Sequence, residues 1–281
     1  MRASPLALAC LLATPTASAW CRTTTMPAQP DPTVCPREGR PIAWTTGCAG
    51  FRFDPTVLPD PRVISRAQVG TVLDLAARAW SSVSCDEATR AAPSFVLARL
   101  ADGPSRAGYF EGVANTNTVA FRLRWGEDAY HPPDAAAVTI VTFGARSAAI
   151  LDADTELNLR GETNPRGFAF AINADPRSAD LQTIVTHEFG HSMGLAHSGL
   201  REAVMWYTAG RGEQRQEPTP DDVAGVCSIY PSSRFAICDP EVRSARFVGG
   251  GAHCGVGRSA PRGGLAALAA LVAALIATRR R

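Results

Sequence analysis

The chain has 281 residues, of which 46% are hydrophobic and 19% are charged, with a formal net charge of +2. This length and composition allow one sizeable hydrophobic core with additional tails. The nearly balanced charge gives no electrostatic basis for binding nucleic acid or a strongly acidic partner.

The first 19 residues have the pattern of an export signal. Arg2 supplies a positive charge, an apolar stretch covers residues 5–13, and small residues occupy positions 17–19, so we expect cleavage after Ala19. A disordered start or a membrane anchor is the alternative interpretation. Export would place the protein in an oxidising compartment, where disulfides persist.

The cysteines fit a disulfide framework better than a metal site. Of eight cysteines, Cys10 lies in the export signal and Cys254 lies near the C-terminus, which leaves an even number in the body of the chain. None of the six has the CxxC spacing of a zinc ribbon. The sequence leaves the pairing open. Our working assignment is Cys21–Cys35, Cys48–Cys85 and Cys227–Cys238.

The body of the chain begins with an irregular lead-in over residues 20–40, which is rich in Thr, Pro and Arg. A helix is predicted over residues 65–85, because apolar side chains between Val69 and Trp80 recur at helical spacing. The predicted strands, from their β-branched and aromatic content, are residues 42–54, 94–100, 117–125, 135–143 and 148–159.

Two further helices close this part of the chain. One is predicted over residues 178–194, with Ser178 or Asp180 as its N-cap. The other covers residues 219–230 and has acidic residues in its first turn, where they oppose the helix dipole. The order of elements predicts one α+β domain over residues 41–231.

The C-terminal region has a different composition. Residues 232–262 are predicted to be a linker, and residues 263–281 combine a short Ala-rich apolar run with three terminal arginines. With the pair Cys254-Gly255, this arrangement resembles the C-terminal sorting tails of myxobacterial surface proteins. That resemblance implies processing by envelope sorting machinery and a location at the cell surface, or release from it. An ordinary tail anchor is the alternative, although the run is short for a membrane span.

The stretch HEFGHSMGLAH, residues 187–197, contains three of the five histidines. His187 and His191 are four residues apart, so a helix places both rings on one face. Gly194 is suited to end that helix, and the chain then returns with His197 as a third ligand. Three neutral nitrogens with one open position are typical of catalytic zinc, with Glu188 able to reach the activated water. The alternative is a helix with solvated histidines.

This stretch resembles the metzincin zinc signature, and Ser198 directly after it resembles the matrixin branch. Met205, eight residues after His197, has the spacing of the matrixin methionine turn. Asp222, in the closing stretch PDDVAGVCSIYP, would by the same resemblance brace that turn. The resemblance covers roughly residues 41–231. It implies a metzincin-like catalytic domain with a twisted mixed sheet, an active-site helix and a C-terminal helix.

The resemblance also implies an activity, a zinc-dependent endopeptidase with one catalytic Zn²⁺ and Glu188 as general base. A protein or peptide substrate would lie extended along an edge strand, with residues 206–220 walling the specificity pocket, and the enzyme would be a monomer. The alternatives are an inactive surface-binding module on this scaffold and a non-peptidase zinc hydrolase of the envelope. The intact Glu188 argues against the first, and the methionine turn argues against the second.

Three features need separate interpretation. Only His131 and His253 remain besides the motif, which excludes the His-rich structural zinc site of animal matrixins. Asp152 and Asp154 are candidate calcium ligands, although a polar strand edge explains two acidic residues equally well. Tyr207 follows Met205 by two residues, where other metzincins place a tyrosine beside the zinc. Tyr207 would then stabilise an oxyanion, or it would only pack.

Overall fold

The computed structural model describes residues 19–231, except for residues 86–93, 114, 127–129 and 173–174. Residues 1–18 of the predicted export signal, the predicted linker and the predicted apolar tail lie outside these residues. Within the described part, none of the helices has the length and apolar character needed to span a membrane.

The described residues form three helices and nine strands in one α+β unit, and the predicted fold class is confirmed. The helices are α1 (Arg66–Ser81), α2 (Leu181–Ser192) and α3 (Pro220–Ile229). The strands are β1 (Cys21–Arg22), β2 (Cys48–Asp54), β3 (Val96–Arg99), β4 (Asn117–Arg122), β5 (Ala137–Phe143), β6 (Ile150–Asn158), β7 (Phe170–Ala171), β8 (Ala179–Asp180) and β9 (Leu195–Ala196).

A five-stranded mixed sheet organises the fold, with the strand order β3-β2-β4-β6-β5. Strands β3, β2, β4 and β6 run parallel, and β5 runs antiparallel to β6 along one edge. Two small sheets pair β1 with β9 and β7 with β8. Helices α1 and α2 pack against each other and against the sheet, so the core lies between these two layers.

Helix α1 supports α2 from behind. It begins with a reciprocal cap, in which Gln68 N donates to Ser65 Oγ at 3.3 Å and Ser65 N donates to Gln68 Oε1 at 2.9 Å. Near its end the buried Trp80 donates from Nε1 to the Thr186 carbonyl of α2 at 2.7 Å. The helix ends at Ser81, four residues before the predicted end at residue 85. Its C-cap, Ser82, still donates a hydrogen bond from its backbone N to the Arg78 carbonyl.

The ends of α2 are fixed by side chains from other segments. Asp180 is its N-cap and accepts from Thr183 N at 2.8 Å, which decides between the two predicted caps. Near the C-terminal end, the buried Tyr230 hydroxyl donates to the Met193 carbonyl at 2.8 Å. Because Tyr230 follows α3 directly, the two late helices hold each other in place.

The strand predicted over residues 42–54 begins later than expected, at Cys48. Before it, only isolated bridges form, such as Ala43 with Ala149. The reason is that Trp44 hydrogen-bonds elsewhere. Its backbone N donates to the Tyr230 hydroxyl at 3.1 Å, and its Nε1 donates to the Ser192 carbonyl at 2.8 Å.

The disulfides correct part of the predicted pairing. Cys21 is bonded to Cys35, as assigned from the sequence. Cys85 is bonded to Cys227, so the assignments Cys48–Cys85 and Cys227–Cys238 were wrong. Stacking of Phe95 on Tyr230, with ring centroids 4.4 Å apart, brings the end of α3 beside the segment that follows α1. Cys48 is also disulfide-bonded.

Candidate metal centre

The three histidines of the motif converge on one point in the core. His187 and His191 project from α2, the chain reverses at Gly194 with a φ of 96°, and β9 leads directly into His197. One ring nitrogen from each histidine lies within 4.8 Å of the other two. All three side chains are buried, and His197 is the most accessible at 9% exposed.

Backbone carbonyls orient two of the rings. His187 Nδ1 lies 2.7 Å from the Val204 carbonyl, and His191 Nδ1 lies 2.8 Å from the Leu195 carbonyl. A carbonyl oxygen only accepts, so we assign the proton of each ring to Nδ1. The lone pairs of both Nε2 atoms then face the centre.

The arrangement of these lone pairs fits a bound cation. The Nε2 atoms of His187 and His191 are 3.0 Å apart, which is unfavourable for two acceptors with nothing between them. Among the described residues, Nε2 of His197 is buried and has no hydrogen-bond partner. A divalent metal would satisfy all three nitrogens at once, and the carbonyls behind two of the rings are the usual outer support of metal-bound imidazoles.

The electrostatics keep the rings in the form that binds metals. Burial lowers the pKa of His191 to about 4. Burial, followed by the neighbouring rings, lowers the pKa of His187 and of His197 well below the usual range. Neutral imidazole is the ligand form, so these rings need no deprotonation at neutral pH.

Glu188 follows His187 directly in α2 and is held from the edge strand. Its Oε2 accepts a hydrogen bond from Thr139 Oγ1 of β5 at 2.7 Å. Its Oε1 is buried without a partner among the described residues. Burial raises the pKa of Glu188 to about 8, and the bond from Thr139 opposes that shift. One oxygen of this carboxyl group is thus fixed, and the other is left for proton exchange.

Asp222 of α3 holds the turn that carries Met205. Its Oδ2 accepts from Val204 N at 2.9 Å, and its Oδ1 accepts from Met205 N at 3.1 Å. The Val204 carbonyl is the group that orients His187. A continuous chain of hydrogen bonds therefore runs from the closing helix to a histidine of the centre.

Met205 packs against α2 at Gly190. A Cβ built on Gly190 would overlap the Met205 sulfur and would lie 2.9 Å from Trp80 Cζ2. The glycine lets the methionine and the tryptophan approach the helix directly between the two histidine positions. The side chain of Met205 is almost fully buried in this contact with α2.

The part of the chain that contains these residues is similar to known proteins. Residues 124–231 match the model of the matrixin family. This matrixin-like region contains all three histidines, Glu188 and Met205. The match and the α+β fold together support a metzincin-like family for the chain.

The matrixin-like region is also similar to curated metalloproteinases. The chain is 38% identical over 53 residues to metalloendoproteinase 2-MMP of Arabidopsis thaliana, which is 19% of this chain and 14% of that protein. It is 29% identical over 125 residues to the hatching enzyme of Paracentrotus lividus, which is 44% of this chain and 20% of that protein. It is 46% identical over 46 residues to matrilysin of Mus musculus, which is 16% of this chain and 17% of that protein. The chain thus spans only about a fifth or less of the length of these relatives.

The remaining residues singled out in the sequence are Tyr207, His131 and His253. The Tyr207 ring is half-buried, with its centroid 6.3 Å from that of His197, so its role stays a prediction. His131 pairs with Glu156, and His253 lies outside the described residues.

The predicted calcium ligands bond to the protein itself. Asp154 accepts from the backbone N of Thr118 at 2.7 Å and from that of Gly108, and Asp152 shares a hydrogen bond with Asp154. Within the described residues, the three histidines are the only group of three His, Cys, Asp or Glu side chains close enough to share an ion. Calcium at the two aspartates therefore stays a prediction.

Two residues of this centre, Gly190 and Thr139, were not predicted from the sequence. Gly190 carried a signal, because a glycine inside a helix is unfavourable unless something packs closely against it. Thr139 carried little signal, since a threonine in a strand is common and its facing partner depends on the tertiary fold.

Proposed function

We propose that this protein is an exported, matrixin-like zinc endopeptidase. The observation that carries the proposal is the convergence of three neutral imidazole nitrogens beside the buried carboxylate of Glu188. The similarity to metalloendoproteinases supports it, although it covers only part of those proteins. His187, His191 and His197 would hold the metal.

Zinc held by three imidazoles would polarise a substrate carbonyl and acidify a water molecule. Glu188 would accept a proton from that water at its unpartnered Oε1 and deliver it to the leaving amine. Thr139 would hold Oε2 and so keep the carboxylate in one orientation. The burial of Glu188 would keep bulk water from competing for this proton.

The edge strand supports an extended substrate. Strand β5 is the last strand of the five-stranded sheet and carries Thr139, which contacts Glu188. An extended peptide that added to this edge would be paired through its main chain and would pass beside the carboxylate. Such a site recognises the main chain of the peptide and not its termini, which favours cleavage within a protein.

The expected location is outside the cytoplasm, at the cell surface or released from it. The disulfides Cys21–Cys35 and Cys85–Cys227 support export, because such bonds persist in oxidising compartments. Cell fractionation with detection of the full chain tests this, and retention in the cytoplasm with free thiols would contradict it. Sorting by the C-terminal tail is part of the proposal and concerns residues outside the described part.

The activity is tested with the full chain, produced under conditions that allow disulfides to form. Cleavage of unfolded casein is compared for the wild type and Glu188→Ala, and bound zinc is measured in both. Zinc near one per chain with cleavage only by the wild type is the expected result. Equal zinc with no cleavage by either protein would favour a binding module, and a folded protein without zinc would refute the metal centre.

A further inference from the structure

The lead-in over residues 20–40, predicted to be irregular, contacts the metal centre. Its strand β1 pairs with β9, the two-residue strand between His191 and His197. Thr23 Oγ1 donates to the Leu195 carbonyl at 3.0 Å, the same oxygen that orients His191. The lead-in is therefore fixed to the segment that carries the ligands.

From Cys21 in β1 to Cys35 the chain forms a closed loop, which we call the disulfide loop. The bond between its two ends closes a sequence separation of 14 residues. The loop contains Pro27, Pro30 and Pro32, whose fixed φ angles restrict its backbone. A turn at Asp31 adds a bond from Thr33 N to the Asp31 carboxylate at 2.9 Å. These constraints make the loop a preformed wall.

A cavity of about 310 Å³ lies between the disulfide loop and the metal centre. Met26 and Val34 line it on the loop side, and His191, Ala196 and His197 line it on the other. This volume is at the lower end of the range for small-molecule pockets, and it is large enough for one large side chain of a peptide.

The lining is apolar and open to solvent. Met26 is 43% exposed and Val34 is 44% exposed, although both are apolar side chains beside a cavity. Met26 lies close against the backbone of Gly39, because a Cβ on Gly39 would lie 2.7 Å from Met26 Cγ. Among the described residues that line the cavity, Asp31 alone is an acidic or basic side chain other than histidine.

We propose that the disulfide loop and the His191–His197 segment form an apolar subsite for a large apolar side chain of the substrate, next to the scissile bond. This inference rests on the proposed function, because it takes the occupant to be a peptide held at the metal centre. Leu, Met or Phe at one position of the peptide buries the exposed faces of Met26 and Val34. An acidic residue at that position is disfavoured by the apolar wall and by Asp31.

The test uses the full chain and a pool of ten-residue peptides that carry Leu, Met, Phe, Asp or Lys at each position in turn. Cleavage sites are mapped by mass spectrometry for the wild type. Binding of the same labelled peptides is measured by fluorescence anisotropy with the zinc-loaded Glu188→Ala protein, which does not depend on turnover. The variants are Met26→Asp and Val34→Asp, with Met26→Leu as the conservative change.

Val63→Asp is the matched control, because Val63 is 61% exposed and is not among the residues that line the cavity. We expect the wild type, Met26→Leu and Val63→Asp to share a preference for a large apolar residue at one position. In Met26→Asp and Val34→Asp this preference falls about tenfold or more, the size expected for losing one buried apolar contact. Bound zinc stays equal in all variants.

The two proposals fail in different ways. Cleavage by the wild type with an unchanged preference in both Asp variants overturns the subsite and leaves the peptidase intact. Absence of cleavage, together with apolar binding that the Asp variants lose, overturns the peptidase and keeps the subsite. Peptide binding without any apolar preference overturns the subsite whatever the cleavage result.

Discussion

The sulfur of Met205 occupies the space where a side chain on Gly190 would lie. The methionine turn and the metal-binding helix are therefore in direct contact, with no side chain of the helix between them. We expect Gly190→Ala to force the sulfur and Trp80 away from α2. Overpacking of this kind destabilises by about 1–3 kcal/mol, which outweighs the better helix propensity of alanine.

Urea unfolding of the zinc-loaded protein measures this effect. Gly103→Ala is the control, because a Cβ there meets only Arg52 Nη1 at an ordinary 3.4 Å and Gly103 has no positive φ. Equal free energies of unfolding for Gly190→Ala and Gly103→Ala would show that the contact is not tight.

A second prediction concerns Asp222. Asp222→Ala leaves the backbone N–H groups of Val204 and Met205 without their acceptor inside the protein. Each buried unsatisfied group costs about 1–3 kcal/mol, so we expect a loss of several kcal/mol in the free energy of unfolding. Zinc affinity should fall about tenfold or more, since the Val204 carbonyl orients His187.

Asp222→Asn keeps one acceptor oxygen and should give an intermediate loss in both measurements. The exposed Glu202 provides the control variant Glu202→Ala. Zinc affinity in Asp222→Ala equal to that of the control would separate the turn from the metal centre and contradict the chain of hydrogen bonds.

Thr139 gives a kinetic prediction. Thr139→Val removes the donor to Glu188 Oε2 and leaves the shape of the side chain nearly unchanged. We expect kcat for peptide cleavage to fall about tenfold, with little change in KM or bound zinc, because the base loses its fixed orientation. Thr142→Val, a buried threonine on the opposite face of β5, should leave kcat unaffected. A fall in kcat of the same size in both variants would indicate a general disturbance of the strand.

The pair Asp152 and Asp154 predicts a pH-dependent stability. Burial, followed by the neighbouring carboxylate, raises the pKa of Asp152 to about 9. Burial also raises the pKa of Asp154, to about 6. Between the unfolded value near 4 and about 9, the folded protein holds a proton that the unfolded chain has lost. Stability therefore falls as pH rises through this window, by up to about 1.4 kcal/mol per pH unit for one proton.

Asp152→Asn supplies the hydrogen-bond donor without a titrating proton. Its free energy of unfolding should decrease less steeply between pH 6 and pH 8 than that of the wild type. Urea unfolding at several pH values, with zinc held constant, measures the difference in slope. Parallel slopes for the two proteins would show that Asp152 does not hold this proton.

The elements near the metal centre were predictable because their signals are local. Each of these signals spans only one or two turns of the chain. They are the cap at Asp180, the four-residue spacing of His187 and His191, and the reversal at Gly194. Local hydrogen bonding and backbone sterics decide such features, and they act over a few residues.

The contacts that the sequence did not predict join distant segments. Cys85 was assigned to Cys48, but it pairs with Cys227, which lies beside it in the folded chain near the contact between Phe95 and Tyr230. The strand predicted from Ile42 starts late for a similar reason, since distant groups take up the hydrogen bonds of that segment. Such contacts are settled only when the core assembles, and sequence periodicity carries no record of them.

The bond between Cys85 and Cys227 spans 142 positions of sequence, and the strands from β3 to β9 and all three histidines lie between its ends. A single backbone cut anywhere in that stretch leaves two fragments that are still covalently joined. Cleavage by a protease in the exposed loops would then produce a nicked protein. In gel electrophoresis this protein would migrate as an intact chain until its disulfides are reduced. All three histidines would stay on one covalently joined molecule, so a cut in a loop would not separate the residues of the site.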